Sequence, residues 1–225
     1  MPFSDHFKDK YVAPGLSAFT AATIPDMSAV SPEQGNWLGN FILSSWARVT
    51  LDDDTRRTFY NFLRRAEAAF REYEEARSLT LAHLANPNPD AVLGYIKAIG
   101  HWEQFLSQAD RAGAVLVRGR KVLFAKDDGT ALQRLNLLYN RTKHLETAIN
   151  SGQLPPDGTL PVWLTNDGLQ AVDEKLTFRE MAEILTDLAK IAEAVQDPPT
   201  MQEKIRQSFG LSEDDSNSSG STPPS

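Results

Sequence analysis

"DDDTRRTFYNFLRRAEAAFREYEEARSLTLAHLA", residues 52–85, decides the fold. Three aspartates open it, and carboxylates are favoured at the positive end of a helix dipole. Phe59, Phe62, Leu63, Ala66, Ala69, Phe70 and Tyr73 then recur at the three- and four-residue steps that put side chains on one helix face. At about 1.5 Å per residue, a helix reaching Ala85 is a rod of about 50 Å. Its other face interleaves Glu67, Glu72, Glu74 and Glu75 with Arg64, Arg65, Arg71 and Arg77, which reads as a solvated, ion-paired surface.

Asn86-Pro87-Asn88-Pro89 stops this helix, and Asn88 with Pro89 starts another. The second apolar face runs through Val92, Ile96, Ile99, Phe105, Leu106, Ala109 and Leu116. A short loop between two long helices predicts an antiparallel pair. Upstream, Ser31-Pro32-Glu33-Gln34 carries the residues of a helix N-terminus and predicts a helix over 31–49 with Trp37, Phe41 and Trp46. Trp37, Trp46 and Trp102 read as core. Residues 1–30, interrupted by Pro14, Gly15 and Pro25, are expected to form a partly ordered arm that has one short helix and packs as a strap.

Downstream, the glycine-containing stretch 117–129 predicts an exposed basic connection. Asp127 or Asp128 is the expected cap of a helix over 130–151, which Gly152 ends. Val162-Trp163-Leu164 followed by Asp167-Gly168 predicts a small β-hairpin. Trp163 is expected there either to cap the bundle or to anchor a partner. Thr177-Phe178-Arg179-Glu180 is a capping box, with Leu176 and Met181 placed to staple it. Ile184, Leu185, Leu188, Ile191 and Val195 supply the buried face of that helix, and a short helix is expected over 201–209. Residues 211–225, acidic and serine-rich, are expected to be a disordered tail. The expectation is therefore an all-α domain over 31–210, a helical bundle built on a long antiparallel pair with a small hairpin before the last main helix.

Composition narrows the chemistry. The chain of 225 residues has no cysteine, so disulfides, thiolate metal sites and cysteine nucleophiles are excluded, and a cytoplasmic location is expected. Its longest run of small or apolar residues, 112–117, is too short for a membrane span, and the opening residues lack a signal-peptide pattern. Phosphate loops of the Gly-x4-Gly-Lys type, dinucleotide fingerprints and nucleophile elbows do not occur. No Glu-x-x-His or His-x-x-x-His pair, the spacing of a helical metal site, occurs around His6, His83, His101 or His144, and no metal or cofactor is expected. His101, beside Trp102 and Glu103, reads as a hydrogen-bonded structural histidine.

The net charge of −7 hides an asymmetry: residues 111–144 hold eight basic and two acidic side chains, whereas residues 145–225 hold five and fourteen. Arg118, Arg120 and Lys121 in the connection, with Arg134, Arg141 and Lys143 on the next helix, suit the neutralisation of phosphates. The alternative is that this segment pairs with the acidic C-terminal region, within the chain or in a dimer.

At about 100° per residue, Leu135, Leu138, Leu145 and Ile149 fall in one arc and are expected to be buried. Arg134, Leu137, Arg141, His144 and Ala148 form a strip along its flank, while Asn136, Asn140 and Lys143 point away. Arg141 and His144 are thus neighbours one turn apart, an arginine to hold phosphate and a histidine to move a proton. A helical domain with this "YNRTKH" segment, residues 139–144, resembles the HEPN superfamily. Many members are RNA-cleaving toxins or antiviral defence proteins that act as dimers, with an arginine and a histidine forming a metal-independent ribonuclease site at the interface. In that pattern four to six residues separate the pair, whereas here Arg141 is three residues before His144 and Arg134 ten. The resemblance implies RNA as partner, a homodimer, Arg141 and His144 as catalytic residues, and Arg118, Arg120, Lys121, Arg134 and Lys143 as nucleic-acid contacts. The competing expectation is a non-enzymatic helical interaction module that binds a protein through the acidic C-terminal region.

Overall fold

The computed structural model describes residues 3–31, 34–47, 51–86, 91–116, 128–152 and 154–196, without the side chains of residues 45–47 and 91. Elements follow in the order α1 (Asp5–Tyr11), a short 3-10 turn (Leu16–Ala18), α2 (Trp37–Ala47), α3 (Asp53–Ala85), α4 (Ala91–Leu116), α5 (Ala131–Lys143), α6 (Leu145–Asn150), β1 (Trp163–Thr165), β2 (Gly168–Gln170), β3 (Lys175–Thr177) and α7 (Phe178–Gln196). The bundle, the long helix pair and the small sheet before the last helix are as the sequence predicts. Among the described residues, no helix is long and apolar enough to cross a membrane.

Asp52 caps α3, its carboxylate accepting from the Thr55 amide at 2.9 Å. All seven apolar residues of its predicted stripe are buried, and Ala76 and Thr80 continue it. Contacts between α3 and α4 run Arg65–Gln108, Glu72–His101 and His83–Tyr95, so the pair is antiparallel. The rings between them meet mostly edge to face: Tyr73 lies 5.2 Å from Trp102 and 5.6 Å from Phe105. Two buried polar groups of this pair are matched in series. Trp102 Nε1 donates to Thr80 Oγ1 at 3.0 Å, whose hydroxyl donates to the Ala76 carbonyl at 2.7 Å.

The N-terminal segment crosses α3 as a strap. Tyr73 and Arg77 donate to the carbonyls of Pro25 and Ile24, and Glu74 accepts from the Met27 amide at 2.8 Å. Val12, Leu16, Phe19, Ile24 and Met27 join the core beneath it.

Several boundaries depart from expectation. α2 begins at Trp37 rather than near residue 32, because Gly35 sits at φ 87°, which no right-handed helix accommodates. On α4, Ile99, Phe105, Leu106 and Ala109 are buried as expected, but Tyr95, Ala98 and Trp102 share that face and Ile96 is exposed. Tyr95 takes the inward position because its hydroxyl accepts the Leu164 amide of β1 at 3.0 Å. The hairpin is a three-stranded antiparallel sheet whose first turn is Asn166-Asp167, with Gly168 already paired to Thr165. A Cβ at Gly168 would come 2.1 Å from the Leu176 carbonyl oxygen, so strand contact requires glycine there. Trp163, 6% exposed, closes the bundle. Around α7, Thr177 and Glu180 exchange the hydrogen bonds of a capping box, and Leu176 and Met181 are fully buried. The expected helix at 201–209 and the tail lie outside the described residues.

Candidate functional site

Thr130, not Asp127 or Asp128, caps α5; its hydroxyl accepts the Gln133 amide at 3.2 Å, and Asp128 instead accepts the Thr130 amide. The predicted single helix through residue 151 is two. His144 breaks it with ψ 38°, at the junction of α5 and α6. The buried face changes across this junction: Leu135, Leu138 and Tyr139 are buried before it and Ala148 after it, leaving Leu145 half-buried and Ile149 56% exposed.

The junction makes a cleft of about 290 Å³ lined by Leu137, Asn140, Arg141, His144, Thr147 and Ala148. It thus gathers Arg141 and His144, with the aliphatic floor of Leu137 and Ala148. Arg141 donates to Asp173 Oδ2 at 2.7 Å, an ion pair with the turn between β2 and β3. His144 is exposed at the cleft edge.

Other predicted residues have different surroundings. Arg134 does not line the cleft. It bonds the Gly129 carbonyl and the Glu180 carboxylate, tying α5 to the start of α7. Burial alone would raise the Glu180 pKa, but hydrogen bonds from Thr177 and the Arg134 charge hold it below the usual carboxylate range. Lys143 is exposed, its ammonium 5.9 Å from the Tyr139 ring centroid. Arg118, Arg120 and Lys121 lie outside the described residues.

Asn136, expected to face water, bonds α4 instead, and Asn140, expected likewise, bonds Asn136. Asn140 donates to Asn136 at 2.9 Å, and Asn136 donates to Asp110 Oδ1 at 2.8 Å. Burial raises the Asp110 pKa, offset only in part by that hydrogen bond and by the charges of Lys143 and Arg111. Arg111 donates twice to the Tyr139 hydroxyl, at 3.3 and 3.1 Å. Sequence reasoning missed Asp173, Asp110, Arg111 and Tyr139 as neighbours of the site. Only Asp110 carried a local signal, a carboxylate on the mostly apolar second helix.

His101 Nδ1 lies 2.8 Å from Glu72 Oε2, the structural pairing expected of it. His83 stacks on Phe19 and against Tyr95. No group of three potential metal ligands occurs among the described residues. Chemically, the cleft offers one guanidinium, one imidazole, one amide and one hydroxyl around an apolar floor, a set suited to an anion carrying a transferable proton nearby. No protein-family model, curated protein or solved structure matches this chain.

Proposed function

We propose that the chain acts on RNA as a HEPN-like, metal-independent ribonuclease of a toxin or antiviral defence system, working in the cytoplasm. The observation that carries this reading is that Arg141 and His144, singled out by the sequence, line one open cleft. In the proposed reaction the Arg141 guanidinium holds the non-bridging oxygens of a phosphodiester. His144 takes the proton of the ribose 2′-hydroxyl, the 2′-oxygen bonds to phosphorus, and the bond to the 5′-oxygen breaks. The products are a 2′,3′-cyclic phosphate and a 5′-hydroxyl, the leaving oxygen taking its proton from water. Asp173 yields to the phosphate because its pair with Arg141 is exposed, and such pairs contribute only about 0–1 kcal/mol. Arg118, Arg120, Lys121 and Lys143 are the proposed backbone contacts, and two copies face each other across the cleft.

One observation favours the competing reading of a non-enzymatic interaction module. Phe3, Phe7 and Tyr11 form a ladder on α1, with ring centroids 4.7 and 5.0 Å apart, and all three are exposed. A protein partner would cover such a strip. Incubation of the purified chain with mixed RNA and a chelator, wild type against His144→Ala, separates the two. Cleavage by wild type alone supports the ribonuclease; no cleavage by either, or equal cleavage by both, rejects it.

A further inference from the structure

The ten arginines that the structure describes divide sharply. Arg56, Arg57, Arg71, Arg77, Arg134, Arg141 and Arg179 each pair with a carboxylate. The remaining three, Arg64, Arg65 and Arg111, have no such pairing among the described residues, and they lie together. Arg65 on α3 donates to Gln108 on α4 at 2.7 Å; Arg111 stands one turn beyond Gln108 and reaches over to Tyr139 on α5. The guanidinium of Arg111 and the ammonium of Lys143 each lie 5.9 Å from the Tyr139 centroid. The result is a row of four cations, Arg64, Arg65, Arg111 and Lys143, crossing three helices.

Elsewhere among the described residues each arginine pairs with a carboxylate, so the row is a departure from that practice. Like charges brought together cost free energy unless an anion joins them. Burial lowers the Arg65 pKa, and the charges of Arg64 and Arg111 lower it further. The carboxylate of Asp110 lies near Arg111 and Lys143, and Asn136 already occupies one of its oxygens. Tyr60 lies one turn before Arg64 on α3, 41% exposed, and among the described residues no other ring stacks on it. A line of cations ending beside a free aromatic face is the arrangement that carries a single strand, phosphates on the cations and a base on the ring.

We propose that Arg64, Arg65, Arg111 and Lys143 form a phosphate-binding row for single-stranded RNA, with Tyr60 as the platform for one base. This deepens the RNA-directed reading and rests on it for the choice of polymer. Its residues are separate from the cleft: around α5, Lys143 and Tyr139 stand about 100–160° from Arg141 and His144 at about 100° per residue.

The test is fluorescence anisotropy of a labelled 20-nucleotide single-stranded RNA with the full chain, titrated between 50 and 200 mM salt. The variants are Arg64→Glu, Arg64→Ala/Arg111→Ala, Tyr60→Ala and His144→Ala, with Arg179→Ala as an exposed control. Wild type is expected to bind, and removing two contacts should lower the salt slope by about 1.4, at about 0.7 per phosphate on a single strand. Arg64→Glu touches only solvent and Asn61, so a loss of binding there is not a folding defect. Tyr60→Ala should weaken binding about tenfold. Arg179→Ala should bind as wild type, and His144→Ala reports on cleavage alone.

Wild-type binding that survives Arg64→Glu and the double substitution with an unchanged slope overturns the row and leaves the RNA reading standing. Loss of binding in those variants, while wild type and His144→Ala are equally inactive on RNA, upholds the row and removes the ribonuclease reading. No retention of RNA by wild type at 50 mM salt overturns both. Arginine-dependent binding to phosphatidylserine vesicles with no binding to RNA overturns the assignment of the polymer.

Discussion

The seam between α3 and α4 and the α5–α6 arm both bury apolar residues, yet polar contacts take a different part in holding each. In the seam, periodic apolar residues do the work, and each polar group inside is closed off by a neighbour, as Trp102 is by Thr80 and Tyr73 by Pro25. The arm also buries Leu135, Leu138, Tyr139 and Ala148, but polar contacts to distant segments help to place it: Asp110 and Asn136 on one side, Arg134 and Glu180 on another, Arg141 and Asp173 on a third. A helix buried by hydrophobic pattern announces its inner face. One docked by hydrogen bonds does not, because the partners that decide which of its polar residues remain available come from distant segments.

The sharpest way to break this contrast is in the seam. Trp102→Ala removes a fully buried ring and is expected to cost about 3–5 kcal/mol in urea unfolding. Thr80→Val keeps the shape but leaves the indole N–H unmatched, costing about 1–3 kcal/mol. A loss below about 1 kcal/mol for Trp102→Ala would mean that the seam does not hold the fold.

The arm should respond through charge and pH. Glu180→Ala removes a capping box and a partner of Arg134, an expected loss of about 1–2 kcal/mol at neutral pH. Its folded pKa lies below the unfolded value, so the stability it contributes is present above about pH 4.3 and fades as pH falls through the folded value. The gap between wild type and variant should therefore close in acid. Asp110 has the opposite sign. Its folded pKa is raised, so the penalty for burying its charge is present at neutral pH and disappears as pH falls through that value. Asp110→Asn should stabilise the chain at pH 7 by less than about 1 kcal/mol, given partial solvent screening, and by nothing near pH 3. Thermal melts of both variants at pH 3, 5 and 7 check the two signs together.

The same division explains how far the sequence could be read. The stripe from Phe59 to Tyr73 and the Thr177–Glu180 capping box are local patterns, and the structure reproduces both. Gly35 at positive φ and the inward turn of Tyr95 onto the Leu164 amide depend on tertiary demands that no window of sequence contains. In the site, the neighbourhood of Arg141 and His144 was legible because only three residues separate their positions in sequence. Asp173 was not, since a sheet that forms 32 residues later carries it to Arg141. Asn136 and Asn140 were assigned to water because the helix wheel holds no information about Asp110 on α4.

The smallest expected effect bears most on function. His144 is exposed at the α5–α6 junction, its side chain caps neither helix, and alanine is the better helix former by a few tenths of a kcal/mol. His144→Ala should therefore shift the unfolding free energy by no more than about 0.5 kcal/mol in either direction. Equilibrium urea unfolding measures this directly, and a loss above about 1.5 kcal/mol would show that the imidazole holds the junction together. With stability unchanged, any loss of RNA cleavage in the same variant belongs to the imidazole itself and not to the arm's collapse. The weak dependence of the fold on His144 is what makes that residue a clean probe of chemistry, in contrast to Trp102, whose removal would confound every activity measured afterwards.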